Sequence, residues 1–170
     1  MIDFNKIEFQ SRDLLLETFG SFKNIEFPLN VPKVVEYLGL QLDIGTFAQE
    51  GISGVLKDKT IYVNSEDRFA RQLFTIAYQI GQVYLYNEVG NMLHRSDLLN
   101  LEEGDVKERE VYAFAASLLM PRSEVRKYWQ QGFQNVEDFE ILFGVPSTIA
   151  YYRLVRLGLI SQNSDQYGSR

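Results

Sequence analysis

The chain has 170 residues, of which 45% are hydrophobic and 24% are charged, and its formal net charge is −6. This length suits one compact domain that folds without disulfides or a metal ion. Because it has no cysteine and only one histidine, His94, the sequence excludes thiolate metal clusters, a cysteine nucleophile and any site that needs two histidines. The excess of acidic residues also disfavours binding to nucleic acid phosphates.

Membrane and export signals are missing from the sequence. No stretch approaches the ~20 consecutive apolar residues that a membrane-spanning helix needs. The N-terminus lacks the basic start and apolar run of a signal peptide. We therefore expect no membrane partner and a cytoplasmic location.

The first forty residues predict two helices. An apolar pattern that ends at Phe19 suits an amphipathic helix, which Gly20 terminates. Asn30 is placed to cap a second, shorter helix, and Pro32 fits the first turn of that helix. Gly39 marks its end.

Residues 40–64 change to the short alternating pattern that is typical of strands. Apolar and polar residues alternate over 40–44. Two short apolar runs, 55–56 and 61–63, flank a polar turn and predict a hairpin. We expect a small, mostly antiparallel sheet in this region.

Residues 65–87 form the strongest helical pattern, and Ser65 is placed to cap it. One face is apolar at helical spacing and is expected to contact a core. A second face is polar and aromatic but nearly uncharged, unlike a fully solvated helix face. Its members are Arg71, Thr75, Tyr78, Gln79, Gln82 and Tyr86.

The second half of the chain is predicted to be helical. Residues 88–106 predict a loop, and residues 107–119 predict a second strong helix that ends at Pro121. Three shorter helical patterns follow, at residues 123–131, 136–143 and 146–157.

Two helical segments carry a specific combination of motifs. Residues 74–82 read Phe-Thr-Ile-Ala-Tyr-Gln-Ile-Gly-Gln, and residues 114–121 read Phe-Ala-Ala-Ser-Leu-Leu-Met-Pro. This combination resembles the ImmA/IrrE family of metallopeptidases, whose members typically show Phe-Thr-x-Ala-His-Glu-x-Gly-His and Phe-Ala-Ala-x-Leu-Leu-Met-Pro. The likeness continues into the C-terminal helical patterns and covers most of the chain.

The resemblance implies an α+β, zincin-like fold, in which a small, mostly antiparallel sheet packs on the active-site helix. On this basis residues 1–122 form the zincin-like domain, residues 123–161 form a helical portion packed on it, and residues 162–170 form a polar tail. The family's edge strand corresponds to a possible partner-binding edge in this chain. That edge comprises Ile61, Tyr62, Val63 and Asn64.

The zinc motif that the resemblance implies is degenerate. In the family, two histidines one turn apart bind Zn²⁺, and the glutamate between them activates water. The corresponding positions here are Tyr78, Gln79 and Gln82, whereas the family's third ligand maps onto Glu110. A protonated phenol and a neutral amide are poor zinc ligands, and Gln79 cannot accept a proton from water.

We therefore expect neither a bound metal or other cofactor nor peptidase activity. Hydrogen bonds among Tyr78, Gln79, Gln82 and Glu110 are expected to replace metal coordination between the two helices. Gly81 has no side chain and would allow another backbone to approach this helix closely.

The leading functional hypothesis is an inactive, metallopeptidase-like protein that binds a protein partner. The resemblance implies that partner, because family members commonly cleave or regulate helix-turn-helix repressors, often encoded beside them in phages and mobile elements. A helix-turn-helix transcriptional regulator could add a strand at residues 61–64.

Two alternatives stay open. One is a peptidase with a rebuilt, non-standard metal site that uses Glu110 together with Tyr78 or His94. The other is a DNA-binding regulator that uses residues 136–157, which resemble a helix-turn-helix and would present Arg153 and Arg156. The acidic composition makes direct contact with nucleic acid the less favoured alternative.

Overall fold

The computed structural model describes residues 1–99 and 103–162. These residues form seven α-helices and one four-stranded sheet, which confirms the predicted α+β class. In chain order the elements are α1 (Phe4–Phe19), α2 (Val31–Tyr37), β1 (Gln41–Gly45), β2 (Ile52–Lys57), β3 (Thr60–Asn64), α3 (Phe69–Tyr86), β4 (Met92–His94), α4 (Val106–Leu119), α5 (Arg122–Gln130), α6 (Val136–Phe143) and α7 (Ser147–Arg156). Apart from Gln162, the predicted polar tail lies outside the described residues.

Helix starts follow local capping signals in most cases. Asn30 caps α2 as expected, and Asp105 caps α4 in a capping box with Glu108. Helix α3 is different, because it begins after Arg68 and not at Ser65, and no side chain caps it. The three residues before Arg68 form a turn that connects β3 to α3.

The sheet has the strand order β1-β3-β2-β4. Strand β1 runs parallel to β3, whereas β2 runs antiparallel to both β3 and β4, so the sheet is mostly antiparallel as predicted. The β2–β3 hairpin turns at Asp58 and Lys59, whose φ angles are 50° and 63°. Positive φ at both positions gives a two-residue turn whose twist matches that of the strands.

Strand β3 lies inside the sheet, so the prediction that residues 61–64 form an edge strand is wrong. Ile61, Tyr62 and Val63 pair with β1 on one side and with β2 on the other. The side chain of Asn64 is buried and donates a hydrogen bond to the Ile52 carbonyl at 2.9 Å. No further strand can pair with β3, because both of its edges are already used. The open edges of the described sheet belong to β1 and β4.

Helix α3 packs between the sheet and α4, and α4 in turn packs against α1. Two glycines allow this close packing. A Cβ atom on Gly54 of β2 would lie 2.4 Å from Thr75 Cγ2 of α3. A Cβ atom on Gly81 of α3 would lie 3.2 Å from Val111 Cγ1 and 3.1 Å from the ring of Phe114, both on α4. The expected close approach at Gly81 is therefore made by α4.

A buried ion pair connects helix α7 to helix α1. Arg153 donates to both carboxylate oxygens of Glu8, with an Nη2–Oε2 distance of 2.9 Å, and its Nε donates to the Met120 carbonyl at 2.9 Å. The side chain of Arg153 is only 2% exposed. Burial opposes ionisation of Glu8, but the hydrogen bonds and charge of Arg153, helped by Arg122 and Ser117, lower the pKa of Glu8 below its ordinary value of 4.5.

Glu8→Gln is expected to destabilise the protein by about 3–5 kcal/mol at neutral pH, because it leaves the buried Arg153 charge uncompensated. The lowered pKa gives Glu8 a stabilising contribution that is complete above pH 4.5 and is lost as the pH falls through the folded-state pKa. The variant should therefore lose less stability on acidification than the wild type. Urea unfolding between neutral and acidic pH measures both effects.

Glu88→Gln provides the matched control, because Glu88 pairs with Lys107 and both side chains are more than one third exposed. Its cost should stay below about 1 kcal/mol. Equal costs for the two variants would contradict a structural role for the Glu8–Arg153 pair.

Candidate functional site

The polar stripe of α3 is enclosed by protein. Tyr78 is 5% exposed, Gln79 is fully buried and Gln82 is 3% exposed. Gln82 Nε2 donates to the Tyr78 hydroxyl at 2.9 Å, which confirms part of the expected hydrogen-bond network. The cleft in which the resemblance places a metal is therefore closed around these side chains.

Asn91 completes this network and was missed by the sequence analysis. Its Nδ2 donates to Gln82 Oε1 at 3.3 Å, and its carbonyl accepts a hydrogen bond from Gln79 Nε2 at 3.1 Å. No sequence signal marks Asn91, because it follows Gly90 in a segment that has neither apolar periodicity nor a motif.

Residues 88–97, here called the covering segment, include Asn91 and are attached to the rest of the fold at several points. This segment was predicted as a loop, but it contains β4, which pairs with β2. The Gly90 N–H donates to the Leu56 carbonyl at 2.7 Å. Arg95 forms an ion pair with the buried Asp67 at 2.6 Å, and Arg71 donates to the Arg95 carbonyl at 2.9 Å. The covering segment is thus attached to the sheet and to the beginning of α3.

Glu110 does not join this network, so the predicted hydrogen bonds of Glu110 with Tyr78, Gln79 and Gln82 are wrong. Its carboxylate accepts a hydrogen bond from Tyr86, two turns further along α3 than Tyr78. The ring of Tyr78 packs instead against the ring of Tyr112 on α4, with a centroid distance of 5.2 Å. Glu108 is exposed, and its carboxylate accepts a hydrogen bond from the Asp105 N–H in the capping box. Within the described residues, no carboxylate forms a hydrogen bond with Tyr78, Gln79 or Gln82.

Tyr78 stays protonated over the ordinary pH range. Burial raises the pKa of its phenol to about 12, and the negative charges of Glu108, Asp97 and Asp105 add to this increase. The hydrogen bond from Gln82 opposes the shift but does not cancel it. A neutral phenol in this position acts as a hydrogen-bonding group and not as an anionic ligand.

The residues at this position do not fit a zinc ion. A protonated phenol and two neutral amides replace the imidazole and carboxylate donors that zinc prefers. Within residues 1–99 and 103–162, no three His, Cys, Asp or Glu side chains cluster closely enough to hold a metal ion. The one unpaired polar atom of the stripe, the buried Gln79 Oε1, belongs to an amide.

The two alternative sites of the sequence analysis are not assembled either. His94 is exposed at the end of β4, and its backbone N–H donates to the Asp97 carboxylate at 2.7 Å. Arg153, which was expected to contact DNA, is buried against Glu8. The Arg156 guanidinium stacks on the ring of Phe4, 3.7 Å from its centroid.

Comparison with known proteins identifies the family. The sequence model of the IrrE N-terminal-like domain, which defines a peptidase family, matches residues 35–155. The chain belongs to the IrrE N-terminal-like family. The match spans the polar stripe, the covering segment and nearly all of helices α4 to α7, so Tyr78, Gln79 and Gln82 lie within the matched domain.

One solved structure that this family member resembles is described as a Mycobacterium tuberculosis transcriptional regulator. The TM-score is 0.64 at 15% sequence identity, and the superposition covers 96% of this chain and 49% of that chain. The chain thus spans about half the length of that regulator, and the two share a fold. No curated protein matches the chain significantly. In the part of the chain that the structure describes, no helix is both long and apolar enough to cross a membrane.

Tyr78→Phe tests the hydrogen-bond network. The variant leaves the buried Gln82 amide without an acceptor, so it should cost about 1–3 kcal/mol of stability. The raised pKa of Tyr78 contributes stability below pH 10 that is lost as the pH rises from 10.0 towards 12. The stability difference between wild type and variant should therefore shrink over that range, as measured by denaturant unfolding.

Tyr62→Phe is the control for this prediction, because Tyr62 is 37% exposed and no side-chain hydrogen bond is found for it in the described structure. Its cost should be within about 0.5 kcal/mol. A neutral effect of Tyr78→Phe would show that Gln82 does not depend on the phenol.

Proposed function

We propose that this IrrE-like protein is a non-hydrolytic regulatory module that binds another protein. The observation that supports this most strongly is the hydrogen-bonded contact of Tyr78, Gln82 and Asn91 at the positions where the family resemblance implies zinc ligands. These groups form hydrogen bonds with one another, and the covering segment lies over them.

The chemistry of peptide hydrolysis supports the same proposal. Hydrolysis by a zinc peptidase needs a metal-bound water and a base that accepts its proton. Gln79 has no basic group, and its amide nitrogen already donates to the Asn91 carbonyl. Tyr78 is a poor replacement base, because its phenol stays protonated up to a pKa of about 12.

The regulatory part of the proposal rests on relatives. The chain belongs to a family that the resemblance associates with helix-turn-helix repressors, and a protein of the same fold is described as a transcriptional regulator. We therefore propose a helix-turn-helix regulator as the partner. This chain corresponds to about half of that structural relative. We therefore propose partner binding for this chain alone and transfer no role of the relative's remaining half to it.

Strand β1 offers the surface for this partner. The Gln41 N–H donates to the Lys59 carbonyl, and the Gly45 carbonyl accepts from the Ser65 N–H, so alternate residues of β1 direct their backbone groups towards β3. The backbone groups of Leu42 and Ile44 consequently face the open edge. The side chain of Ile44 is 50% exposed there, which suits the addition of an apolar strand.

Metal affinity and peptidase activity test the first part of the proposal. Purified wild-type protein should contain no stoichiometric zinc by elemental analysis and should not cleave casein or the regulator. The triple variant Tyr78→His, Gln79→Glu and Gln82→His should gain zinc affinity, because it restores the family's donors on an unchanged helix. Chelator-sensitive cleavage by the wild type would contradict the proposal.

Two further variants make this experiment specific to the geometry. Adding Glu110→Gln to the triple variant should weaken zinc binding by at least about tenfold, because the resemblance implies Glu110 as the third ligand and metal affinity depends on each anionic ligand. Adding Glu108→Gln should leave the affinity nearly unchanged, since Glu108 is exposed and its carboxylate accepts a hydrogen bond from the Asp105 N–H. The reverse result would place Glu108 at the site and overturn the role proposed for Glu110.

Partner binding at β1 is tested with Ile44→Pro. Proline removes a backbone N–H that faces the open edge, and proline is tolerated on edge strands, so the fold should be retained. The affinity for the helix-turn-helix regulator proposed as the partner should fall by at least about tenfold in calorimetric titration.

Ile44→Val keeps the N–H and serves as the control, with little expected change in affinity. Circular dichroism checks that both variants fold. Unchanged binding by Ile44→Pro would exclude strand addition at β1, and absence of binding by the wild type would exclude this regulator as the partner.

A further inference from the structure

A pocket of about 230 Å³ lies between α1, the end of α4 and the beginning of α5. Its floor includes Ser11, Ser117 and Pro121, all of which are buried. It is formed by different elements from those that carry the polar stripe of α3. Neither the family match nor the proposed regulatory function assigns a role to it.

Positive charge is concentrated around this pocket, although the protein as a whole carries a net charge of −6. Arg12 lies on the α1 side, and Arg122 and Arg126 lie on the α5 side. Within the described residues, Arg12 and Arg126 have no ion-pair partner. Two unpaired guanidinium groups on opposite walls form a suitable binding site for an anion.

The acidic residue in the pocket does not neutralise this charge. Glu8 already accepts two hydrogen bonds from the buried Arg153. Arg122 lies 3.8 Å from Glu8 and also donates to Asn5 at 3.4 Å, so it is only partly engaged. The positive charge of Arg12 and Arg126 therefore remains uncompensated at the mouth of the pocket.

The remaining walls are apolar. Phe9 is 60% exposed although it lies beside a pocket, and Phe22 contributes a half-buried ring on the same side. Burial of an exposed aromatic ring by a ligand is favourable, because it removes apolar surface from water. The pocket thus combines an apolar wall with an unbalanced cationic rim.

We propose that this pocket binds a small organic anion, in which a carboxylate or phosphate group is attached to an apolar body. The acid group contacts Arg12 and Arg126, and the apolar body lies against Phe9 and Phe22. The volume is below the range of about 300–1,000 Å³ that is common for drug-sized ligands, so the ligand is small. The proposal is independent of the regulatory function proposed above.

Nuclear magnetic resonance titrations with hexanoate, hexan-1-ol and acetate test this proposal. Hexanoate should bind at millimolar concentration or better and shift amide signals in residues 8–12 and 122–126. Hexan-1-ol lacks the charge and acetate lacks the apolar body, so each should bind at least about tenfold more weakly. Hexyl phosphate, titrated in parallel, distinguishes the two acid groups, and tight binding of either supports the proposal.

Matched variants locate the binding site. The double variant Arg12→Gln with Arg126→Gln should weaken hexanoate binding by at least about tenfold, whereas Arg68→Gln with Lys57→Gln removes the same charge from exposed positions elsewhere and should have little effect. Phe9→Ser should also weaken binding. The proposal is overturned if neither hexanoate nor hexyl phosphate causes shifts, if hexan-1-ol binds equally well, or if both double variants weaken binding to the same extent.

Discussion

Helix α3 is enclosed by protein from Leu73 to Gln82, and this burial constrains the rest of the structure. Every polar side chain in the enclosed stretch must form its hydrogen bonds inside the protein, because an unpaired buried group costs about 1–3 kcal/mol. A metal ion could satisfy such groups at the centre of a helix. Here Tyr78, Gln82 and Asn91 form hydrogen bonds with one another, and the Gln79 side-chain oxygen is the buried polar atom of this stretch that has no partner in the described structure.

This hydrogen-bond network connects the polar stripe of α3 to the covering segment. Without Asn91, both Gln79 and Gln82 would lose a partner, and without the two glutamines the segment would lose its contacts with the middle of α3. The ion pair of Arg95 with Asp67 and the pairing of β4 with β2 attach the segment at its other end. The burial of the polar stripe and the position of the covering segment therefore depend on one hydrogen-bond network.

Sequence reasoning succeeded where the signal is local and failed where it depends on distant partners. Apolar spacing predicted α4, α6 and α7 closely, and the motifs identified the family and its fold. The order of the sheet was not predictable, because β1 joins β3 through a parallel pairing that no turn specifies. Strand β4 has only three residues and depends on β2 for its pairing. The contact of Glu110 with Tyr86 depends on how α4 packs against α3, which the motifs do not specify.

The environment of Arg153 also depends on a residue that is distant in the sequence, and it bears on the charges around the pocket. On α7, this arginine matches a helix-turn-helix pattern, but Glu8, 145 residues away, draws its side chain into the interior. Glu8 also lies 3.8 Å from Arg122, so its carboxylate is shared between two arginines. In the described part of the chain, Arg12 and Arg126 have no ion-pair partner at the pocket between α1 and α5. One buried carboxylate thus connects α1 to the C-terminal helices, while two of the three arginines around the pocket stay without a counter-charge in the described structure.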